Sequence, residues 1–494
     1  MPFFTGFNNK STCFSSEYLI ISGFLILYLL FPTSNSSLDS WGYACSVKYG
    51  TELFIPHHLL YNAFLHFVFI SKKLLFPFAD ALETCKQVNG IFAAATLFVF
   101  YKILKLQVPD RQAAMGWLIF AGSTFGVLRF ATENETYIIP LFFSVWGTYY
   151  LIRGKYMLSG FLLALACLFH QVHVLWWLAC VISLFISWEK RKLMAFLLPA
   201  ITVPLIYSLV IVLYNKQELS ILSFFSFIFS DYLNGNAEVG IDFRKALLLT
   251  PISFGRTFIQ VHGNTFSLLK DFPFILFLPC ILLLTGFLFI KNLRFNSKSI
   301  STFQIAMGLA FILHFAFAAY SAGNAEFMVM LPMLLILAAA PKVDLVSSQL
   351  KAFGLSILAW NICVGLFPSR YFDLKGNKHL LEHIHNHPSA AYVLNDYWNV
   401  YNQHVYQYGT MPGQAISFRE MPACEPCFLK MLNEKLENDQ PVFTDCIKYN
   451  KVLDRSYLMD RNPNENFWDQ YALLPEDTLN GKWNKTILYQ IKRR

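Results

Sequence analysis

The sequence predicts an all-α polytopic membrane protein: about eleven transmembrane helices, surface helices on the outer face, and a small α/β or mixed C-terminal domain. Two observations lead there. Of 494 residues, 55% are hydrophobic and only 14% charged, an imbalance that a soluble core does not require. The apolar residues also fall in runs of roughly 20, long enough to cross about 30 Å of hydrocarbon as a helix, with short polar breaks between runs. The alternation expected of a transmembrane β-barrel is absent.

Helices are expected at about 17–33, 87–105, 113–129, 137–152, 156–169, 173–188, 193–214, 272–290, 301–320, 326–341 and 350–367. The first lacks a small-residue cleavage site before Pro32, so it reads as a retained helix rather than a removed signal peptide. Segment 57–78 is apolar enough for another crossing, but Lys72 and Lys73 follow its apolar part, and a surface helix there keeps the later loops consistent in charge. Residues 215–271 are apolar from Ile221 to Phe229, then polar through Asp231, Asn236, Asp242 and Arg244, the pattern of a lid of interfacial helices. Hydropathy collapses after Pro368, which divides the chain into a transmembrane domain, 1–367, and a C-terminal domain, 368–494, too rich in aromatics for disorder.

The net charge of +8 does not point to nucleic acid, because the basic residues sit in particular short loops. Lys102, Lys105 and Arg111, then Arg153 and Lys155, Lys190 to Lys192, Lys291, Arg294 and Lys298, and Lys342 and Lys351 all fall on one side, whereas the opposite short turns carry only Arg129. By the positive-inside rule the amino terminus is cytoplasmic and the C-terminal domain extracytoplasmic. No P-loop or GxGxxG is present, so nothing supports a nucleotide-driven mechanism. Cys424, Cys427 and Cys446 lie in the polar tail. CxxC suits a redox pair or half a zinc site, but no second half follows, and in an oxidising compartment a structural disulfide fits better.

This topology gathers Asp39, His57, His58, Tyr61, Glu133, Glu135, His170, His173 and Glu326 on the outer face. A charge kept beside lipid usually has a role, although a loop aspartate can simply be solvated. Glu133 and Glu135 share one tight turn; they either solvate it or serve chemistry. His170 and His173 flank Gln171 at a corner between two apolar runs, where imidazole either satisfies the corner or meets a phosphate. His57 and His58 with Asp39 or Glu135 have donor types that suit zinc or manganese, but the spacing is unlike a helical HExxH pair, and no metal or other cofactor is expected.

These residues, in this order, resemble the GT-C-type integral membrane glycosyltransferases, the group holding protein O-mannosyltransferases and aminoarabinose transferases. The resemblance covers roughly residues 17–341: the acid of Leu38-Asp39-Ser40-Trp41-Gly42-Tyr43 after the first helix, Pro56-His57-His58-Leu59-Leu60-Tyr61 at a surface helix, and Val88-Asn89-Gly90-Ile91 opening the second crossing. Glu135-Thr136-Tyr137, the run from Gly160 into His170, and Asn324-Ala325-Glu326 with Pro332 complete it. It implies a GT-C-like bundle in a bacterial cytoplasmic membrane, with a polyprenyl-phosphate sugar as donor and a glycan, lipid or protein as acceptor.

By position, Asp39 inherits the role of catalytic base and Glu135 that of the second acid, with Glu133 its neighbour. His57, His58, Tyr61, Glu133, His170, His173 and Arg256 would bind donor or acceptor, and Trp41, Tyr43, Tyr61 and Tyr137 offer ring faces to sugars. The chain departs from the family pattern in having Ser40 where many relatives carry a second acid, His170 where a Lys or Arg is common, and Glu326 in place of a basic residue. Two other readings stay open: a lipid-linked-glycan flippase or exporter, and an assembly subunit that keeps the fold without the chemistry. A carrier should place ionisable groups at mid-helix in duplicated halves, whereas the acids and histidines singled out here cluster at helix ends on one side and the halves are not repeats.

Overall fold

A computed structural model describes residues 16–234, 243–297, 299–412, 414–418, 424–446 and 467–494. Asn236, Asp242, Lys298 and the side chain of Arg244 lie outside the described residues. Every expected crossing is matched by a helix. After α1 (Ser16–Leu30) come α2 (Leu38–Tyr49) and α3 (Tyr61–Leu75), neither of them among the apolar runs that match the expected crossings, then α4 (Ala81–Gln107). α5 (Arg111–Ser123) and α6 (Phe125–Ala131) together cover the expected third crossing and meet at a bend of 60°. The extended backbone of Thr124 makes the bend, and Asn361 Nδ2 donates to the Ser123 carbonyl at 2.8 Å, satisfying an acceptor at the break.

α7 (Ile138–Ile152), α8 (Tyr156–Phe169) and α9 (Val174–Ile186) follow, and α10 (Lys190–Leu197) continues through α11 (Thr202–Leu209) to Tyr214. α12 (Ile221–Ile228), α13 (Ser230–Leu233), α14 (Phe243–Phe258) and α15 (Thr265–Asp271) occupy the expected lid. α16 (Phe277–Lys291), α17 (Thr302–Tyr320), α18 (Leu331–Ala339), α19 (Ser347–Asn361) and α20 (Phe367–Tyr371) complete the bundle. Six of these runs are long and apolar enough to cross a membrane, the bent pair makes a seventh, and four shorter apolar helices bring the described residues to the expected eleven. α3 is not among them; its exposed Phe67, Ile70, Leu74 and Leu75 suit a helix lying at an interface.

One boundary differs. The last crossing was expected to stop at 367, yet it continues to Tyr371, because a π turn at Ile362–Leu366 shifts the hydrogen-bond ladder where Pro368 cannot donate. At the basic end, Arg111 pairs with Glu17 at 2.7 Å, and β1 (Arg294–Phe295) meets β2 (Val343–Asp344) antiparallel.

The C-terminal elements build a five-stranded mixed sheet. β3 (Ala391–Leu394) lies between β4 (Gln414–Ser417) and β5 (Val442–Thr444), parallel to both, and the hairpin of β6 (Tyr471–Asn480) and β7 (Lys485–Arg493) adds antiparallel to β5. Successive side chains of β3 face opposite ways, so Ala391 and Val393 join one apolar cluster and Tyr392 and Leu394 another. α21 (Asn377–Asn386), α22 (Tyr397–Tyr408) and α23 (Glu425–Glu437) accompany the sheet. Cys424 and Cys427 are joined in a disulfide, one of the pairings expected, while Cys446 is buried outside any disulfide.

α22 also packs along α2. Gly42 permits the approach, since a Cβ there would lie 3.1 Å from Asn402 Nδ2, and that amide donates to the Leu38 carbonyl at 3.1 Å. Lys48 and Tyr49 of α2 donate to the carbonyls of Tyr406 and Val405, and the Tyr406 hydroxyl donates to Asp80 at the start of α4.

Candidate active site

The turn Thr132–Tyr137 between α6 and α7 is shaped from below by one buried amide. Asn89 Nδ2, inside apolar α4, donates to the carbonyls of Glu133 and Glu135 at 2.8 and 2.9 Å. The Tyr61 hydroxyl donates to Asn134 Oδ1 at 2.9 Å, and Asn134 Nδ2 donates to the Ser40 carbonyl at 2.8 Å. The turn therefore holds α2, and α2 carries Asp39.

The two acids of the turn do different work. Glu133 anchors the start of α2, accepting from Ser40 Oγ at 2.7 Å and from the Ser37 and Asn134 amides at 3.3 and 3.0 Å, so its charge sits at the positive end of a helix. Glu135 accepts from Ser37 Oγ at 2.5 Å, and that oxygen caps α2 by accepting from Ser40 N. Burial, then the charges of Glu326, Asp39 and Glu133, hold the Glu135 carboxyl well above its ordinary range. A cluster of acids this close favours retention of protons.

At this end of the bundle a cavity of ≈ 570 Å³ opens, lined by Asp39, Tyr43, His57, Tyr137, His170 and Glu326 among others. Asp39, in the first turn of α2, is exposed on its wall. His170 is nearly buried; its Nδ1 accepts from the Val172 amide at 3.2 Å, which leaves the proton on Nε2 and makes the ring a neutral donor. Tyr137 donates to Glu326 Oε2 at 3.2 Å, and Asn324 fixes Glu326 by accepting from its backbone amide. The turn before Glu326 needs Gly323, whose φ is +72° and where a Cβ would meet the α14 backbone at Leu249 and Thr250 at 2.7 Å.

Of the residues singled out from sequence, Asp39, His57 and His170 share the cavity, and Glu135 lies behind its wall. His58 and Tyr61 do not line it. Both are completely buried, Tyr61 holding Asn134 and His58 packed edge-on against Tyr43, because they occupy the inward face of the turn that presents His57. Glu133 is likewise spent on α2. His173 points into the bundle, with Ser144 Oγ at 2.8 Å and the His314 ring centroid at 5.9 Å.

Arg256 sits apart from the cavity lining on α14, which packs on α6, the helix of Arg129. Burial and then the charge of Arg129 lower its pKa, and neither guanidinium has an acidic partner among the described residues. Two residues escaped notice in the sequence: Asp231 as a cavity residue, its Oδ2 2.6 Å from His57 Nδ1, and Asn89 as the bracket of the acidic turn. An amide in an apolar crossing was the available signal for Asn89.

No family model and no curated protein matches the sequence. Among solved structures the chain is similar to ArnT from Cupriavidus metallidurans in the apo state, at 8% identity, with 96% of this chain and 97% of that one covered and a TM-score of 0.43. It is similar also to ArnT from the same organism bound to undecaprenyl phosphate, at 10% identity, the same coverage and a TM-score of 0.42. Likeness at this level transfers no residue role, so the chemistry rests on the residues themselves.

Proposed function

We propose that the chain is a membrane glycosyltransferase that moves a sugar from a polyprenyl-phosphate donor to an acceptor hydroxyl on the extracytoplasmic face. The observation that carries the reading is the placement of Asp39 on the wall of a cavity that also holds His57, His170, Tyr137 and Glu326, all at the end of the bundle opposite the basic loops. Those loops favour a cytoplasmic amino terminus, which puts the cavity and the C-terminal sheet outside. Sugar nucleotides are cytoplasmic, so a donor at the outer face has to be carried by lipid.

In this reading Asp39 takes the proton of the acceptor hydroxyl as its oxygen attacks C1. The bond from C1 to the phosphate oxygen breaks on the opposite side, inverting the anomeric centre, and the lipid phosphate leaves with the electron pair. A positioned base contributes about 10²–10⁴-fold. His170 Nε2 donates towards the phosphate from the cavity wall, and Arg129 and Arg256, outside that lining and within reach of each other's charge, are the candidate cations for the remainder of the lipid phosphate's charge. Glu135, behind Ser37, sets the position of the helix that carries the base.

The test is transfer by the purified chain from a radiolabelled polyprenyl-phosphate sugar to an acceptor extract. Label released or transferred by the parent and not by Asp39→Asn supports the assignment; equal turnover sinks it. One observation favours the carrier reading: His314, at mid-helix in α17, is buried beside His173 with both ring nitrogens unpartnered among the described residues. Lipid-linked sugar that crosses a vesicle membrane without losing its sugar would support that alternative.

A further inference from the structure

A second cavity, of ≈ 380 Å³, lies where the strap Ser34–Ser36 meets residues 370–378 and α22. Its walls are firm. Asn35 Nδ2 donates to the Ser369 and Phe372 carbonyls, both at 2.8 Å, and Asn35 Oδ1 accepts from Leu374 N at 2.9 Å. Buried Lys86 donates to the Thr33 carbonyl at 2.8 Å.

The lining is unlike that of the first cavity. Amides dominate one side, with Asn399, Gln403 and Gln407 on successive turns of α22, and the rings of Trp41, Tyr371 and Tyr408 supply flat faces. Ser36 and Asn399, only 4% and 2% exposed, are the most deeply set of the polar residues that line it. The charges are largely occupied: Arg370 donates to the Pro32 carbonyl, Lys375 pairs with Asp396, and Asp373 accepts from the Lys375 and Gly376 amides. Lys378 and Glu382 remain, opposite in sign, so the cleft has no marked preference for an anion or a cation.

Amides both donate and accept, as hydroxyls do, and aromatic faces cover the C–H faces of sugar rings. We infer that this cleft is a binding subsite for a neutral saccharide. Its place suits the acceptor: α2 is the shared wall, with Asp39 facing one cavity and Trp41, about 200° further round the helix, facing the other. The acceptor assignment rests on the transferase reading. A glycan gripped here reaches the first cavity over the N-terminal end of α2, and its remote sugars supply binding energy to the reacting hydroxyl.

The experiment applies the solubilised full chain to a printed array of neutral hexose, deoxyhexose and N-acetylhexosamine oligosaccharides, beside an array of unmodified peptides. The expected result is retention on one class of glycan, with binding at least tenfold weaker in Gln403→Ala and in Gln407→Ala. Gln407 is exposed and Gln403 half-buried, and unchanged thermal melting verifies that truncation spares the fold. Asp39→Asn keeps the binding. No glycan retained, equal retention by the glutamine variants, or capture by peptides alone overturns the subsite. Glycan binding without sugar transfer leaves the subsite standing and removes the transferase reading; transfer without cleft-dependent binding does the reverse.

Discussion

His57 Nδ1 and Asp231 Oδ2 lie 2.6 Å apart, and this contact ties α13 in the lid to the turn before α3. The hydrogen bond from His57, opposed by burial, leaves the Asp231 carboxyl below its ordinary range. A depressed carboxylate stabilises the closed arrangement above its unfolded pKa, and that contribution fades as pH falls through the lower folded value. Asp231→Asn should speed hydrogen exchange in residues 221–233 at neutral pH, with the difference from the parent shrinking in acid. Equal exchange at neutral pH would show that the contact does not hold the lid.

Glu133 and Glu135 separate by measurement. Removing the Glu133 carboxylate breaks three hydrogen bonds, two of them from the start of α2, at about 1.5–3 kcal/mol for a charged hydrogen-bond group, so Glu133→Ala should lower Tm and activity together. Glu135→Gln should lower activity with a smaller change in Tm. The opposite ranking of the two melting temperatures would reverse the roles.

Glu135 also predicts a pH dependence. Its folded pKa is raised, so the native state holds a proton that the unfolded chain gives up, and stability falls as pH rises from the ordinary carboxylate value towards the folded one. Glu135→Gln should flatten that fall. A melting profile across the same range with unchanged slope would exclude Glu135 as its source.

Arg129→Ala and Arg256→Ala should each weaken binding of a polyprenyl phosphate about 10–100-fold, the worth of one charge-assisted hydrogen bond. Titration of the purified variants with the lipid phosphate reads this directly. Wild-type affinity in both variants would move the phosphate elsewhere, with His170 next to be tested.

Gly160→Ala should destabilise the bundle by about 1–3 kcal/mol, because a Cβ there would run into the Phe196 carbonyl where α8 packs on α10. Thermal melting in detergent measures it. An unchanged Tm would mean that the two helices part without cost.

The eleven crossings were legible because each apolar run is bounded by charges or turn residues. The bend at Thr124 was not read, although Gly122, Ser123 and Gly126 beside it permit one, because the amide that satisfies the freed Ser123 carbonyl belongs to Asn361, 238 positions after that serine. The acidic turn was visible, but two glutamates one residue apart look alike until Ser40 and Ser37 choose between them. His57 and His58 show the same limit. Adjacent positions on a tight turn face different ways, and only packing against Tyr43 reveals which ring is buried. The partnership of Asp231 with His57 spans 174 positions and left no local pattern.

The seating of α2 on α22 sets an order of biogenesis. Asp39 leaves the ribosome early, but Asn402, which fixes the Leu38 carbonyl, follows 364 positions later. At ~5–20 residues per second the wait is roughly 20–70 s, during which every membrane helix is made while α2 lacks one of its two supports. The start of α2 therefore gains its last hydrogen bond only once α22 has been made. A chain cut before α22 would carry the whole lining of the first cavity and lack the amide that fixes the Leu38 carbonyl.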